Sequence, residues 1–187
     1  GLWNVSASME YYNGGPLKRE LMTQQIPDIL NMFNGGHYSA DIDLTFTSTE
    51  NSWSKTLGPY FVYCNNVPST QTNQVAASQA LYTDALAQQA AEATAWPYSW
   101  FVNSNYAPAS GRGTITGQIV ISDTGNPNAS AANLYVNLVQ QPPTSNASYD
   151  FQEWMKPYQF WTKTDGNGNF SIPNVIAGTG YTLYAFG

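Results

Sequence analysis

The chain has little charge, and positive charge is scarcest. Only 10% of the 187 residues are charged, and 6 Lys and Arg stand against 12 Asp and Glu, for a net charge of −6. A nucleic-acid-binding surface needs clustered cations to neutralise phosphates. Only Lys18 and Arg19 are adjacent among the cations. This distribution argues against nucleic acid as a partner.

Long apolar runs are also missing. No stretch reaches the length of roughly 18 apolar residues that marks a membrane-spanning helix. No charged-then-apolar leader opens the chain. The first residues, Gly1-Leu2-Trp3, are instead typical of the middle of a strand. We therefore expect no membrane partner, and we expect the chain to be a fragment of something longer.

Cysteine and histidine occur once each. A single cysteine, Cys64, excludes an internal disulfide framework, and its place in the alternating run 60–64 predicts a small buried hydrophobic residue. Metal sites need clustered ligands, so one His and one Cys predict no metal site. We also expect no cofactor. His37 follows two glycines, where it is either a base at the mouth of a loop or a histidine bonded to its own backbone.

What the chain has instead is neutral polar side chains and aromatic rings, the rings making up 14%. Rings stack on the C–H faces of sugars, while amides and hydroxyls bond to sugar hydroxyls. This composition weakly favours a carbohydrate ligand, although secreted β-proteins without a ligand share it. A secreted, extracellular protein is compatible with the four sequons for N-glycosylation, which start at Asn4, Asn128, Asn146 and Asn169.

The first part of the chain changes pattern twice. Residues 1 to about 67 contain short alternating runs that predict half-buried strands, as at 41–47 and 60–64. The Ala-rich stretch 78–93 predicts an amphipathic helix, with Leu81, Ala85 and Leu86 at helical spacing. The aromatic cluster that follows is expected to pin this helix to a sheet, and it consists of Trp96, Tyr98, Trp100 and Phe101.

From Arg112 onward the pattern is strand and turn only. Strands are predicted at 113–121, 134–139 and 181–186, and the Gly- and Asn-rich stretch 164–169 predicts a tight reversal with positive φ at its glycines. The stretch 106–111 is the best linker, so we expect two domains, 1–105 and 106–187. The second, of about 80 residues, is long enough for a seven-strand sandwich of fibronectin type III or prealbumin-like type.

The segment from Ser8 to Glu20 places two carboxylates, two phenols and two cations around a Gly-Gly-Pro turn. Such a group could hold an acidic sugar, with Lys18 and Arg19 meeting a uronate carboxylate. Glu10 and Tyr11 would then bond to hydroxyls. Alternatively, Glu10 or Glu20 forms an exposed ion pair with Lys18 or Arg19, worth about 0–1 kcal/mol. The spacing alone leaves both interpretations open.

Short motifs in a fixed order run along nearly the whole chain. They are Ser8-Met9-Glu10-Tyr11, Gly14-Gly15-Pro16-Leu17-Lys18, Gly36-His37-Tyr38, Gly58-Pro59-Tyr60, Trp96-Pro97-Tyr98 and Tyr158-Gln159-Phe160-Trp161. In this order they resemble the rhamnogalacturonan lyases of polysaccharide lyase family four. The resemblance implies a mainly β chain. Residues 1–105 would be the end of a large catalytic β-sandwich with one helix, and 106–187 a small fibronectin type III-like sandwich.

The resemblance also implies an activity. The enzyme would be a secreted, monomeric, pectin-degrading endolyase that cleaves the rhamnose–galacturonate bond of rhamnogalacturonan I by β-elimination. The family's catalytic lysine and histidine align upstream of Gly1, so this fragment alone is expected to be inactive without its missing N-terminal and C-terminal parts. Glu10 matches an acidic position at the edge of the substrate cleft, Tyr11 shapes the same rim, and His37 matches no catalytic position.

A second class of function stays open. The aromatic-rich composition and the prealbumin-like second half also suit a non-catalytic carbohydrate-binding or adhesion module. An enzyme requires further strands carrying a lysine and a histidine before Gly1, whereas a binding module requires none.

Overall fold

The structure is a computed structural model that describes residues 1–17, 52–140, 155–178 and 180–187. Within these ranges the protein is mainly β, with seven strands in antiparallel sheets and one α-helix. The predicted fold class is confirmed. None of the helices in the described ranges has both the length and the apolarity that crossing a bilayer requires. The strand predicted at 41–47 lies outside the described residues.

The first sheet is a pair of strands, β1 (Leu2–Ser6) and β2 (Tyr60–Cys64), in antiparallel register. The predicted alternation along β2 is present, but it is shallow: Phe61 and Tyr63 are only half-buried. The prediction that Cys64 is buried is wrong, since it is an exposed free thiol. It lies on the outer face of the two-stranded sheet, together with the exposed Val62.

The helix α1 (Gln74–Ala95) begins where the Asn73 side chain accepts hydrogen bonds from two backbone N–H groups, and it ends just before Pro97. The helix is where the sequence predicted it, but its predicted amphipathic character is wrong. Ala85 is buried, whereas Leu86 is 48% exposed. The helix packs on β1. Ala85 is its buried residue, so most of the helix surface is not covered by the described residues.

An aromatic cluster attaches the end of α1 to the first sheet. Trp96, Tyr98 and Tyr106 are buried together, and Phe61 of β2 packs against them. The ring of Trp96 lies nearly perpendicular to those of Tyr98 and Tyr106, at centroid distances of 5.5 and 5.3 Å. The cluster thus pins the helix to the sheet, as the sequence predicted, although Trp100 itself is exposed.

The second half contains two antiparallel sheets. One pairs β3 (Arg112–Gln118) with β6 (Asn169–Ile176), and the other has the order β5 (Gln159–Lys163), β4 (Tyr135–Gln140), β7 (Tyr181–Phe186). The predicted strands match within about two residues, except that β3 ends three residues early. The core contains side chains from both sheets: Val136, Leu138, Phe160, Phe170, Ile172 and Val175.

The Gly- and Asn-rich reversal joins β5 to β6. The Asp165 carboxylate accepts hydrogen bonds from the backbone of Asn167 and Asn169 at 2.8 and 2.9 Å, and from the Asn169 side chain. These bonds lower the pKa of Asp165. Gly168 has φ +81°, and a Cβ there would lie 2.4 Å from the carbonyl oxygen of Ile119. Glycine is required at this position, as predicted, but the prediction of positive φ is wrong for the other glycine of the reversal, Gly166.

Candidate functional site

The candidate site is the junction, by which we mean the contacts between residues 1–105 and residues 106–187. Its centre is Glu10, which follows β1 and is only 4% exposed. The two carboxylate oxygens of Glu10 accept hydrogen bonds from Nη1 and Nη2 of Arg112 at 2.6 and 2.9 Å. This bidentate geometry is the strongest form of the Arg–carboxylate pair. Since Arg112 begins β3, the pair links the two halves.

Two more N–H groups of the Arg112 guanidinium also donate hydrogen bonds. Nε donates to the carbonyl of Ala107 and Nη1 to that of Asn174, both at 2.8 Å. The guanidinium carbon lies 5.3 Å from the ring centroid of Trp96 and 5.6 Å from that of Tyr106. A buried ion pair offsets the cost of desolvation only when such additional bonds satisfy its remaining donors. Four of the five N–H donors of Arg112 are satisfied in this way.

Lys55 is a second cation at the junction. Its Nζ donates to the carbonyl of Tyr11 at 3.1 Å, and to the carbonyls of Met155 and Pro157 at 2.7 and 2.9 Å. It also lies 4.8 Å from the ring centroid of Tyr158. Burial lowers the pKa of Lys55 to about 7, although the negative charge of Glu10 acts in the opposite direction. The Lys55 Nζ is therefore hydrogen-bonded to the backbone of both halves.

The Gly14-Gly15-Pro16 turn packs directly on β5. The backbone N–H of Gln159 donates to the Glu10 carbonyl at 2.9 Å, and the N–H of Gly14 donates to the Gln159 side chain at 3.2 Å. Gly15 has φ +49°, and a Cβ there would lie 2.2 Å from Nε1 of Trp161. The close approach of the turn to β5 therefore depends on glycine.

Tyr11 and Tyr12 lie beneath this turn. Their ring centroids are 4.5 Å apart, and both hydroxyls lie within hydrogen-bond distance of Ser6 Oγ, at 2.9 and 3.2 Å. Burial raises the pKa of both phenols, so both are neutral at ordinary pH. In this position they act as packing groups with satisfied hydroxyls.

A cavity of about 500 Å³ opens beside the junction. Small-molecule sites typically occupy about 300–1,000 Å³ and combine apolar walls with a few polar groups. The wall of this cavity has that mixed character, with Glu10, Pro16, Trp96, Tyr135, Trp161 and Lys163 among its residues. Nζ of Lys163 lies 4.2 Å from the ring centroid of Tyr135. The Glu10 carboxylate in this wall is held by Arg112 and is not free to act as a base. The cavity is therefore suited to binding a ligand.

Only part of the predicted site can be located. Lys18, Arg19, His37 and Asn146 lie outside the described residues. Glu10 and Tyr11 are both buried and bonded within the protein, and the exposed ion pair considered for Glu10 is wrong, because Glu10 is buried and paired with Arg112. No group of three or more potential metal ligands occurs in the part of the chain that the structure describes.

Sequence reasoning missed Arg112 and Lys55. Both are isolated cations in a chain with little charge, and that rarity was the only signal. Nothing in the spacing pairs Arg112 with a carboxylate 102 positions earlier.

The second half of the chain matches a known family model. A family model described as polysaccharide lyase family 4, domain II, matches residues 111–187. No solved structure matches the chain.

The similar curated proteins carry one activity in their names. A rhamnogalacturonate lyase of Dickeya dadantii is 30% identical over 186 residues, which cover 100% of this chain and 27% of that protein. A probable rhamnogalacturonate lyase C of Emericella nidulans is 30% identical, over 99% of this chain and 16% of the relative. A probable rhamnogalacturonate lyase C of Aspergillus oryzae is 29% identical, over 99% and 24%. The chain thus spans about a quarter or less of these relatives. Residues 111–187 thus match a domain II of polysaccharide lyase family 4, and the whole chain is similar to proteins named rhamnogalacturonate lyases.

Proposed function

We propose that the chain is a section of an extracellular rhamnogalacturonan endolyase that acts as a monomer without a cofactor. The observation that carries this proposal is similarity along the whole chain to proteins named rhamnogalacturonate lyases. The enzyme would break the bond between rhamnose and O4 of galacturonate in rhamnogalacturonan I. Its other partners would be the parts of the same enzyme that precede and follow this section.

The proposed reaction is a β-elimination. A base removes the C5 proton of galacturonate, which lies α to the carboxylate, and a cation neutralises that carboxylate so that the proton becomes acidic enough to leave. An acid protonates O4 as it departs, and the product is a 4,5-unsaturated uronate. One cleft must therefore supply a base, a cation and an acid.

The contacts of the described cations at the junction support the proposal that the fragment alone is inactive. Arg112 is committed to Glu10, and Lys55 is committed to three backbone carbonyls. Neither is available to neutralise a uronate without breaking contacts between the halves. We propose that the catalytic lysine and histidine lie outside these 187 residues, and that the fragment alone does not cleave the polysaccharide.

The test compares the 187-residue chain with the complete protein that contains it. Both are incubated with rhamnogalacturonan I, and the unsaturated uronate is followed by its ultraviolet absorbance. The proposal requires product from the complete protein and none from the chain. Product from the chain would show that a local group such as His37 is the base, and no product from either would refute the lyase function. Size analysis of the fragments distinguishes endo from exo cleavage.

We further propose two domains, 1–105 and 106–187. The division is supported by the family match at 111–187 and by β3 beginning at Arg112. The second domain would be the fibronectin type III-like sandwich, whose described part contains β3 to β7.

For Glu10 and Tyr11 we propose a place at the substrate-binding rim, as the resemblance implies. Glu10 borders the cavity, but both of its oxygens are held by Arg112. Glu10 would therefore act by holding the junction in place beside the rim through its pair with Arg112, because a free carboxylate would repel a uronate. Lys18, Arg19 and His37 are weaker candidates for the same rim.

A binding module without catalysis is the alternative, and the aromatic wall of the cavity favours it. The two functions are distinguished by adding a binding measurement to the same experiment. A binding module would bind the polysaccharide without forming unsaturated uronate.

A further inference from the structure

The Asn side chains of the described glycosylation sequons differ in exposure and in hydrogen bonding. We propose that Asn128 is the N-glycan attachment site of the second half, and that the fold excludes a glycan at Asn4. This inference rests on the proposed secretion and applies to passage through a eukaryotic secretory pathway. Asn146 lies outside the described residues and takes no part in the argument.

Asn128 lies on the connection between β3 and β4. Every residue from 121 to 128 is exposed. The backbone N–H of Ala129 donates to the Asn126 carbonyl at 3.0 Å, which closes a turn around the acceptor. The sequon hydroxyl belongs to Ser130, which is also exposed and accepts a bond from the Ala132 N–H at 3.2 Å. A glycan on Asn128 would extend into solvent without displacing a protein contact among the described residues.

Asn4 is the opposite case. It lies in the middle of β1, with Val62 of β2 opposite it. Its Nδ2, the atom that would carry the sugar, is buried and has no hydrogen-bond partner. The sequon continues through Val5, which is itself a buried residue. A sugar on this nitrogen would have to displace the protein atoms that bury it, so we expect no glycan on Asn4 in the folded chain.

Asn169 is intermediate. Its residue surface is exposed, but Nδ2 donates to Oδ2 of Asp165 at 3.1 Å. The same carboxylate also accepts from the Asn169 backbone at 2.9 Å. A sugar here would have to be accommodated beside the bond that orders the reversal between β5 and β6. We therefore expect occupancy to fall from Asn128 to Asn169 and to vanish at Asn4.

The modification itself is a group transfer with a lipid-linked pyrophosphate oligosaccharide as co-substrate. The Nδ2 of Asn128 forms a bond to C1 of the first sugar, and the bond from C1 to the pyrophosphate oxygen breaks. The pyrophosphate leaves with the electron pair, and the amide nitrogen gives up one proton to a base of the transferase. The side chain keeps one N–H and stays a neutral amide.

The test expresses the 187-residue chain behind a secretion leader in a eukaryotic host and keeps only secreted protein that melts cooperatively. Enzymatic release of glycans in heavy-oxygen water converts each occupied Asn into a labelled Asp, which peptide mass spectrometry then locates. We expect label at Asn128 and none at Asn4. Label at Asn4, or an unlabelled Asn128, overturns the proposal.

Matched variants sharpen the result. Asn128→Gln and Ser130→Ala should each remove the same glycan from the intact mass, whereas Asn4→Gln should leave the glycan mass unchanged. If the secreted chain does not melt cooperatively, the same peptide analysis is made on the complete secreted protein. The readout is independent of lyase activity, so an inactive but glycosylated protein would refute the proposed function and leave this inference standing.

Discussion

The two halves of the molecule differ in how their apolar side chains are covered. In the second half, β4 lies between β5 and β7, and Val136 has 0% exposure beneath the β3–β6 sheet. In the first half, β1 and β2 pair only with each other among the described strands. Leu2 and Val62 are 57% and 58% exposed there. The second half therefore carries a core of its own, whereas in the described part of the first half α1 and the aromatic cluster cover one face of the β1–β2 pair and the face of Leu2 and Val62 stays exposed.

The junction explains how the first half is held. Its buried residues Glu10 and Tyr11 lie where the chain meets the second half, and Arg112 and Lys55 anchor them. The comparison shows that the position of a segment in the sequence does not decide which half of the molecule it packs on. The segment 8–16 belongs to the first half by sequence and packs partly on β5 of the second.

The largest effect is expected from Arg112→Met, which breaks the link between the halves. The substitution leaves Glu10 buried without its partner, and such a loss costs about 3–5 kcal/mol. Urea unfolding of the 187-residue chain measures the free energy of unfolding. Lys163→Met is the matched control, because Lys163 is exposed, and the loss of its contact with the Tyr135 ring should lower this free energy by no more than about 1 kcal/mol. A loss below 1 kcal/mol in Arg112→Met would show that the pair does not hold the junction.

A pH effect should come from Lys55. Its folded pKa of about 7 lies below its ordinary 10.5, so the unfolded chain binds a proton that the folded chain has released. Stability should then rise with pH between about 7.5 and 9.5, by up to about 1.4 kcal/mol per pH unit. The tyrosines with raised pKa act in the opposite direction, but only above this window.

Unfolding at several pH values, compared between the parent chain and Lys55→Met, isolates this contribution. The rise should be missing from Lys55→Met and kept in Lys163→Met. An equal rise in all three chains would assign it to other groups.

A smaller loss is expected from Gly15→Ala, which tests how closely the turn approaches β5. The positive φ and the contact with Trp161 together should cost about 1–3 kcal/mol. Gly166→Ala is the control, because a Cβ there meets no atom within 4 Å. Equal melting temperatures for the two variants would mean that the turn can move away from β5 freely.

The smallest effect, and the only gain, is expected from Asn137→Val in the centre of the second half. Asn137 is 0% exposed, and neither side-chain amide atom has a hydrogen-bond partner. Removing an unsatisfied buried amide should raise the free energy of unfolding by about 1 kcal/mol. Chemical denaturation measures it, and a clear loss of stability would show that the amide is satisfied in solution.

Local features of this fold were predictable from the sequence, and features that depend on distant contacts were not. The reversal at 164–169 and the strand 181–186 follow from turn residues and alternation, which act over a few positions. The burial of Cys64 and Leu86 was predicted wrongly, because burial depends on a covering layer that periodicity does not reveal. The pairing of Glu10 with Arg112 depends on the packing of both halves, so their local patterns could not predict it.

The measurement that tests the central comparison most directly is the unfolding of the two halves prepared separately. Residues 106–187 should be soluble and melt cooperatively, because their core contains side chains from both of their own sheets. Residues 1–105 should not, because an unpaired sheet edge and an exposed apolar face favour association over folding. Circular dichroism during heating reports both. A cooperatively melting 1–105 fragment, or an unfolded 106–187 fragment, would contradict the account.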